Sequence, residues 1–154
     1  MADLEDFENR LKAISRTDWE RLFDLIPEIE NSRSFGDVEG GKEIEEGVLT
    51  MPFMNPAQIV FDFFQIIHEL SIVPVFDWVN WTEGCDLISN EQADFSKLPL
   101  IDQCKLLTVM IRIDRFCEGF FVSCFENGIV LKILLGMKEN IYNRNPIQRS
   151  ENLS

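Results

Sequence analysis

Apolar positions set the first expectations. Leu4, Phe7, Leu11 and Ile14 recur at three- and four-residue steps, and Asp3 precedes them as a cap, which predicts a helix over residues 3–14. Thr17 and Glu20 in TDWE have the spacing of a capping box and predict a second helix to about Ile26, ended or kinked by Pro27. NPAQIVFDFFQIIHELSIVP opens with Asn55 as a cap and Pro56 at the first helical position. Its Val60, Phe61, Phe64, Ile67 and His68 form one stripe before Pro74 stops the helix. Asp77 then caps another helix, with Trp78, Trp81 and Cys85 along one face, and NEQADFSK is a polar connector.

Residues 99–118 are apolar nearly all round. At about 100° per residue, Leu100, Cys104, Leu107 and Ile111 fill one side, and Leu106, Val109 and Ile113 fill the other. Such a helix is surrounded by others. Gly128 is placed as a C-terminal cap, IVLKILLGMKENIY is a further helix, and residues 143–154 are a polar tail that frays. The pattern predicts an all-α fold: a compact bundle of six or seven helices around a central buried helix, with residues 1–142 as one domain. Residues 33–53 break it. They hold four glycines and five acids among few apolar residues, which predicts a long acidic loop, with room for a short hairpin at Glu45–Met51.

The central helix carries charge. Arg112, Asp114, Arg115 and Glu118 sit in TVMIRIDRFCEGFFVSCF, and a helix continued through Glu118 places all four within an arc of about 160°. Arg115 and Glu118 would project from the same stripe as core residues. A charge unpaired there costs several kcal/mol, so two readings compete. In one, the four groups form an ionic network that fixes helix register. In the other, they line a pocket in which a guanidinium grips a carboxylate or phosphate of a small polar ligand. Gly119 marks a close helix crossing or a pocket floor.

Composition narrows the partners. The 154 residues carry a net charge of −13, with 14 acids against 6 basic residues in positions 1–50 and 7 against 1 in positions 51–100. A chain this acidic repels phosphate backbones and anionic lipid, so neither direct nucleic-acid binding nor membrane binding is expected. Cys85, Cys104, Cys117 and Cys124 form no C-x-x-C pair, and there is a single histidine; they read as reduced thiols of a cytoplasmic protein, with no metal and no cofactor expected. The acidic start MADLEDFENR lacks the apolar region of a signal peptide. His68 reads as a core residue, Trp78 and Trp81 as core or as an aromatic wall for a ligand, and EGGKE lacks the spacing of a phosphate-binding loop.

Two segments carry a resemblance. Phe76, Asp77, Trp78 and Trp81 in VPVFDWVNWTEG, and Arg112, Asp114, Arg115, Phe116, Glu118 and Gly119 followed by Gly128, resemble the FDWxxW and RxDRFxEG signatures of domain-of-unknown-function family 6508, a small, mainly bacterial family. The resemblance covers residues 17–137. It implies a shared helical fold, no assigned activity, and a meeting in space of the Asp77–Trp81 segment with the charged one.

Three functions are compatible with these residues. The first is a binding or interaction module with a small polar pocket near Arg115 and Glu118, formed with Asp77, Trp78 and Trp81 and taking a protein or small polar ligand, as monomer or homodimer. The second is a small enzyme with Glu118 or Asp114 as acid–base and Arg115 as anion anchor. The third is an acidic protein that mimics nucleic acid toward a partner.

Overall fold

The computed structural model describes residues 4–40, 43–49, 51–90 and 92–153, with side chains placed at all of these except 39, 44 and 144–153. Helix accounts for 63% of the chain and strand for 8%, the all-α class that the periodicity predicts. In chain order come α1 (Leu4–Ala13), α2 (Arg16–Phe23), α3 (Ile26–Asn31), β1 (Gly36–Glu39), β2 (Glu43–Glu45), β3 (Val48–Leu49), β4 (Phe53–Pro56), α4 (Gln58–Glu69), a 3-10 turn (Trp78–Asn80), α5 (Thr82–Ser89), α6 (Leu100–Asp114), α7 (Phe120–Glu126) and α8 (Ile129–Leu153).

The centre is α6. Cys104, Leu106, Leu107, Val109 and Met110 have no exposed surface, so both sides of the helix are covered, and it packs against α5, α7 and α8. Its two buried polar side chains are both satisfied. Thr108 Oγ1 donates to the Pro74 carbonyl at 2.6 Å, and Gln103 Nε2 donates to the Phe95 carbonyl at 2.9 Å while its Oε1 accepts from Asn140 Nδ2 at 3.0 Å. Gly136 of α8 makes room for that network, because a Cβ there would sit 2.9 Å from Gln103 Nε2. Phe95 is 1% exposed, so the connector predicted from polar residues is pinned into the core by its one large apolar side chain.

Several boundaries move. Ser15, not Thr17, caps α2, with its Oγ accepting from the Asp18 N–H at 3.1 Å. Pro27 stands in the first turn of α3, where a missing N–H costs no helical bond. Asn55 and Pro56 belong to β4 rather than to the start of α4, which begins after Ala57. The cause is pairing: β4 runs antiparallel to β1, with Gly36 opposite Pro56 and Glu39 opposite Phe53. β2 and β3 pair in turn, with Gly47 at φ 80° between them and its N–H bonded to Glu43 Oε1 at 2.9 Å. The segment predicted as an acidic loop therefore folds back as a two-tier ribbon. Periodicity could not signal this, because strands of two to four residues are too short to alternate visibly. The predicted polar tail at 143–154 falls mostly on side chains outside the described residues.

Among the described residues no single helix is long and apolar enough to cross a membrane. α7 with the described part of α8 passes that test only as a pair bent by 69°, and most of its apolar residues are core.

The end of α4 carries an unusual residue. Leu70 caps the helix, the Ser71 N–H donates to the His68 carbonyl at 3.1 Å, and the Ile72 N–H donates to the Ile67 carbonyl at 3.1 Å. This is a Schellman motif, with Ile67 and Ile72 both fully buried beside it. Its left-handed position usually takes glycine, yet here it is Ser71 at φ 57°, the one positive-φ residue other than glycine among the described residues. Replacing Ser71→Gly is expected to raise the unfolding free energy by about 0.5–1 kcal/mol, the strain relieved less the entropy glycine brings. Urea denaturation of the two proteins measures the difference.

Candidate functional site

The charged segment does not continue the central helix. α6 ends at Asp114, Arg115 caps it, and the Phe116 and Cys117 N–H groups both turn back to the Ile113 carbonyl at 2.9 Å. Gly119, at φ 90°, then starts α7. The inward arc of four charges expected from an unbroken helix is therefore not formed. Arg115 and Glu118 are exposed, Arg112 and Asp114 are half-buried, and Phe116 is 84% exposed at the turn. No ion pair joins any of the four among the described residues, so the expected ionic network is also absent. Solvent removes the penalty that would have forced such pairing.

The two carboxylates do other work. Asp114 Oδ1 accepts the Phe121 N–H at 3.0 Å, satisfying an open donor in the first turn of α7. Glu118 Oε1 accepts the Met54 N–H at 2.9 Å and so fastens β4 to the turn. Met54 also packs against Gly119, where a Cβ would meet its Cε at 3.2 Å. Within α6, Ile111 and Asp114 share a face, while Arg112 lies about 160° round the helix from Asp114. The charges are thus divided between opposite sides of one helix end.

The Asp77–Trp81 segment lies elsewhere along α6. Asp77 bonds to Asn80 rather than capping a helix. Trp81 and Phe76 meet edge to face at 5.7 Å and enclose Lys105, whose Nζ is 4.1 Å from the Trp81 ring centre and 4.9 Å from that of Phe76. Asp102, one turn back on α6, stands 3.9 Å from the same ammonium. Trp78 is half-buried, and its carbonyl accepts the Cys85 thiol at 3.7 Å. Lys105 precedes Arg112 by two helical turns, about 10 Å along the axis, and no described hydrogen bond, ion pair or ring contact joins the two segments. Sequence reasoning missed Lys105. Its signal was a cation in the middle of a helix with apolar residues on both sides, with an aromatic pair available elsewhere to receive it.

A different concavity borders the charged turn. Pro56, Val60, Phe61, Phe64, Ile111, Asp114 and Phe121 line a groove of about 230 Å³ between β4, α4, α6 and α7. Here the stripe expected on α4 needs correcting. Ile59, Val60, Phe63 and Ile67 form the buried face, whereas Phe61 is 51% and Phe64 42% exposed, and His68 is exposed beside them. Phe64 meets Phe121 edge to face at 6.1 Å, so the aromatic core of Phe63, Phe121 and Phe125 continues out to this surface. Cys124 lies behind the groove. Burial and the nearby Asp114 carboxylate push its thiol up to about 12, and burial pushes Cys104 up as well, so neither supplies a thiolate nucleophile.

A family model described as "Family of unknown function (DUF6508)" matches residues 14–143, a span that includes the 76–81 and 112–119 segments and Gly128. No curated protein and no solved structure matches the chain.

Two sets of variants follow from this geometry. Arg115→Ala is expected to change stability by less than about 0.5 kcal/mol, as for other exposed side chains, whereas Asp114→Ala loses about 1 kcal/mol and Asp114→Asn, which keeps an acceptor, loses less. Gly84→Ala is expected to cost about 1–3 kcal/mol, because a Cβ at that position would lie 2.1 Å from Trp81 Cε3 and the ring is held by Lys105. Thermal and urea unfolding measure both.

Proposed function

For a chain that belongs to a family of unknown function (DUF6508), we propose the role of a protein-binding module whose groove receives an apolar side chain from a partner segment that also carries a basic residue. The observation that carries this reading is the pair Phe61 and Phe64, aromatic rings left half in water along a groove whose one charged lining residue is Asp114. Grouped exposed aromatics of this kind mark interaction surfaces, and aromatic-walled pockets supply most of the binding energy in such contacts. A volume of about 230 Å³ suits one inserted side chain and falls below the roughly 300–1,000 Å³ of typical small-molecule sites. Asp114 gives one oxygen to Phe121 N–H, and the other remains to meet a cation. The net charge of −13 speeds encounter with a basic partner.

The site thus shifts from Arg115 and Glu118 to the Asp114 side of the turn. The enzymatic reading has less support. Asp114 and Glu118 are both engaged by backbone N–H groups, and Arg115 is not among the groove residues. The reading as a nucleic-acid mimic rests on net charge alone.

Site-specific photo-crosslinking in cells tests the proposal. A benzophenone side chain at Phe61 is expected to give a discrete adduct that a benzophenone at Glu28, on exposed α3, does not. Asp114→Asn, which keeps the cap on α7 and removes the charge, should reduce that adduct severalfold. The same adducts at both positions, or none at Phe61, would overturn the reading, and an adduct of twice the chain's mass would replace the basic partner by a second copy.

A further inference from the structure

Two openings wider than the groove share no lining residue with it. One, of about 580 Å³, is lined by Leu4, Phe7, Arg10 and the Asp6 carboxylate of α1 together with Pro74 and Val75; Asp6 does not line the second. The second, of about 410 Å³, is lined by Arg10, His68, Ser71, Val73, Pro74 and Val75. They share Arg10, Pro74 and Val75, and so adjoin along the chain segment that leaves α4.

Three polar side chains converge on the smaller opening, and each keeps bonding capacity in reserve. Arg10 makes no ion pair among the described residues; its guanidinium lies 5.6 Å from the Phe7 ring centre, an arrangement that orients the fork without using its donors. His68 Nδ1 donates to the Phe64 carbonyl at 2.8 Å and its ring rests 4.2 Å from that of Phe64, which fixes the imidazole and leaves Nε2 open. Ser71 holds its hydroxyl beside them from a left-handed backbone position that glycine would occupy with less strain. The guanidinium and the hydroxyl supply the donors, and Val73, Pro74 and Val75 the apolar wall, that an anion with a hydrophobic body requires, while the imidazole Nε2 remains as an acceptor for a protonated oxygen of such a ligand.

We propose that this cleft is a binding site for a small organic anion, a carboxylate or phosphate monoester carrying an apolar group. Arg10 makes the charged contact, Ser71 donates a second hydrogen bond, and the wall of Val73, Pro74 and Val75 receives the apolar part. The carbonyl ends of α1 and α4 both lie near the site and oppose an anion. That opposition is the smaller effect. A helix end carries about half a charge against the full charge of Arg10, and two of the last carbonyls of α4 are already bonded by Ser71 and Ile72.

Titration of the ¹⁵N-labelled protein with phenyl phosphate and with phenylacetate, followed by NMR, tests the site and separates the two anion chemistries. Saturable shifts at the Ser71 amide and the Arg10 side chain are expected with at least one of them. Arg10→Gln should weaken that binding at least tenfold and Ser71→Gly about threefold or more. The glycine variant is expected to fold at least as well as the parent, so its loss of binding reports the hydroxyl. Arg33→Gln, at an exposed arginine that lines neither opening, should change nothing. Absence of saturable shifts at the site with either anion, equal binding by the Arg10→Gln protein, or tighter binding there of benzylamine would each overturn the proposal.

Discussion

A helix without a polar face has to be covered on every side, and α6 imposes that requirement on the rest of the chain. Its interior residues from Cys104 to Met110 meet solvent almost nowhere. The connector before it, the Trp81 segment and helices α5, α7 and α8 are placed accordingly. The polar groups that such burial would strand are few and answered: Gln103 by Phe95 and Asn140, Thr108 by Pro74. The bonds to the Phe95 and Pro74 carbonyls also tie segments without regular structure to the core, so satisfying the helix and ordering the connections are one event.

The same requirement explains why the charges collect where they do. A covered helix can carry a charge within its length only where something answers it, as the Phe76 and Trp81 rings and Asp102 answer Lys105; the other charges collect towards its end at Asp114. Past that point the chain turns outward, the carboxylates of Asp114 and Glu118 hold backbone donors on two other elements, and Arg115 faces water. The turn becomes a joint between the central helix, α7 and the ribbon rather than a cluster of its own. The groove arises at this joint because α4, α7 and β4 approach one another across Phe64, Phe121 and Pro56 without closing over them.

How much of this was legible in the sequence depends on the length of each signal. The all-round apolar pattern of residues 100–113 is long, and it identified the buried central helix, which is covered on both sides as expected. Gly128 did mark a helix end, at φ 85°. Short signals misled. The unbroken helix through Glu118 failed because Gly119 was read as a helical glycine when it needs a positive φ; the angles projected for Arg112 and Asp114 hold within α6, and that of Glu118, past the helix end, does not. Asn55–Pro56 has the chemistry of a helix start, but backbone pairing with Gly36 and Asp37 claimed it first, a partner some twenty residues distant that no local pattern shows. His68 was assigned to the core because Phe61 and Phe64 share its stripe. That stripe is split by the fold: its Val60 and Ile67 are buried with Ile59 and Phe63, while Phe61, Phe64 and His68 face outward. Arg10 and Ser71 gave no sequence signal, because their common feature is a cleft between segments sixty residues apart.

The joint between Glu118 and Met54 has a consequence for how the molecule moves. Among the described residues the ribbon meets the helical body where Phe35 packs on Phe125 at 5.3 Å, where Met54 packs against Gly119, and where Glu118 accepts the Met54 N–H. Two-stranded pairs contribute little stability by themselves. The ribbon is therefore expected to open locally while α6 stays shut, with its amide hydrogens exchanging before those of the core. β4 leads straight into α4 and borders the groove, so each such opening also frees one wall of the groove while Phe63 and Phe125 stay packed behind it.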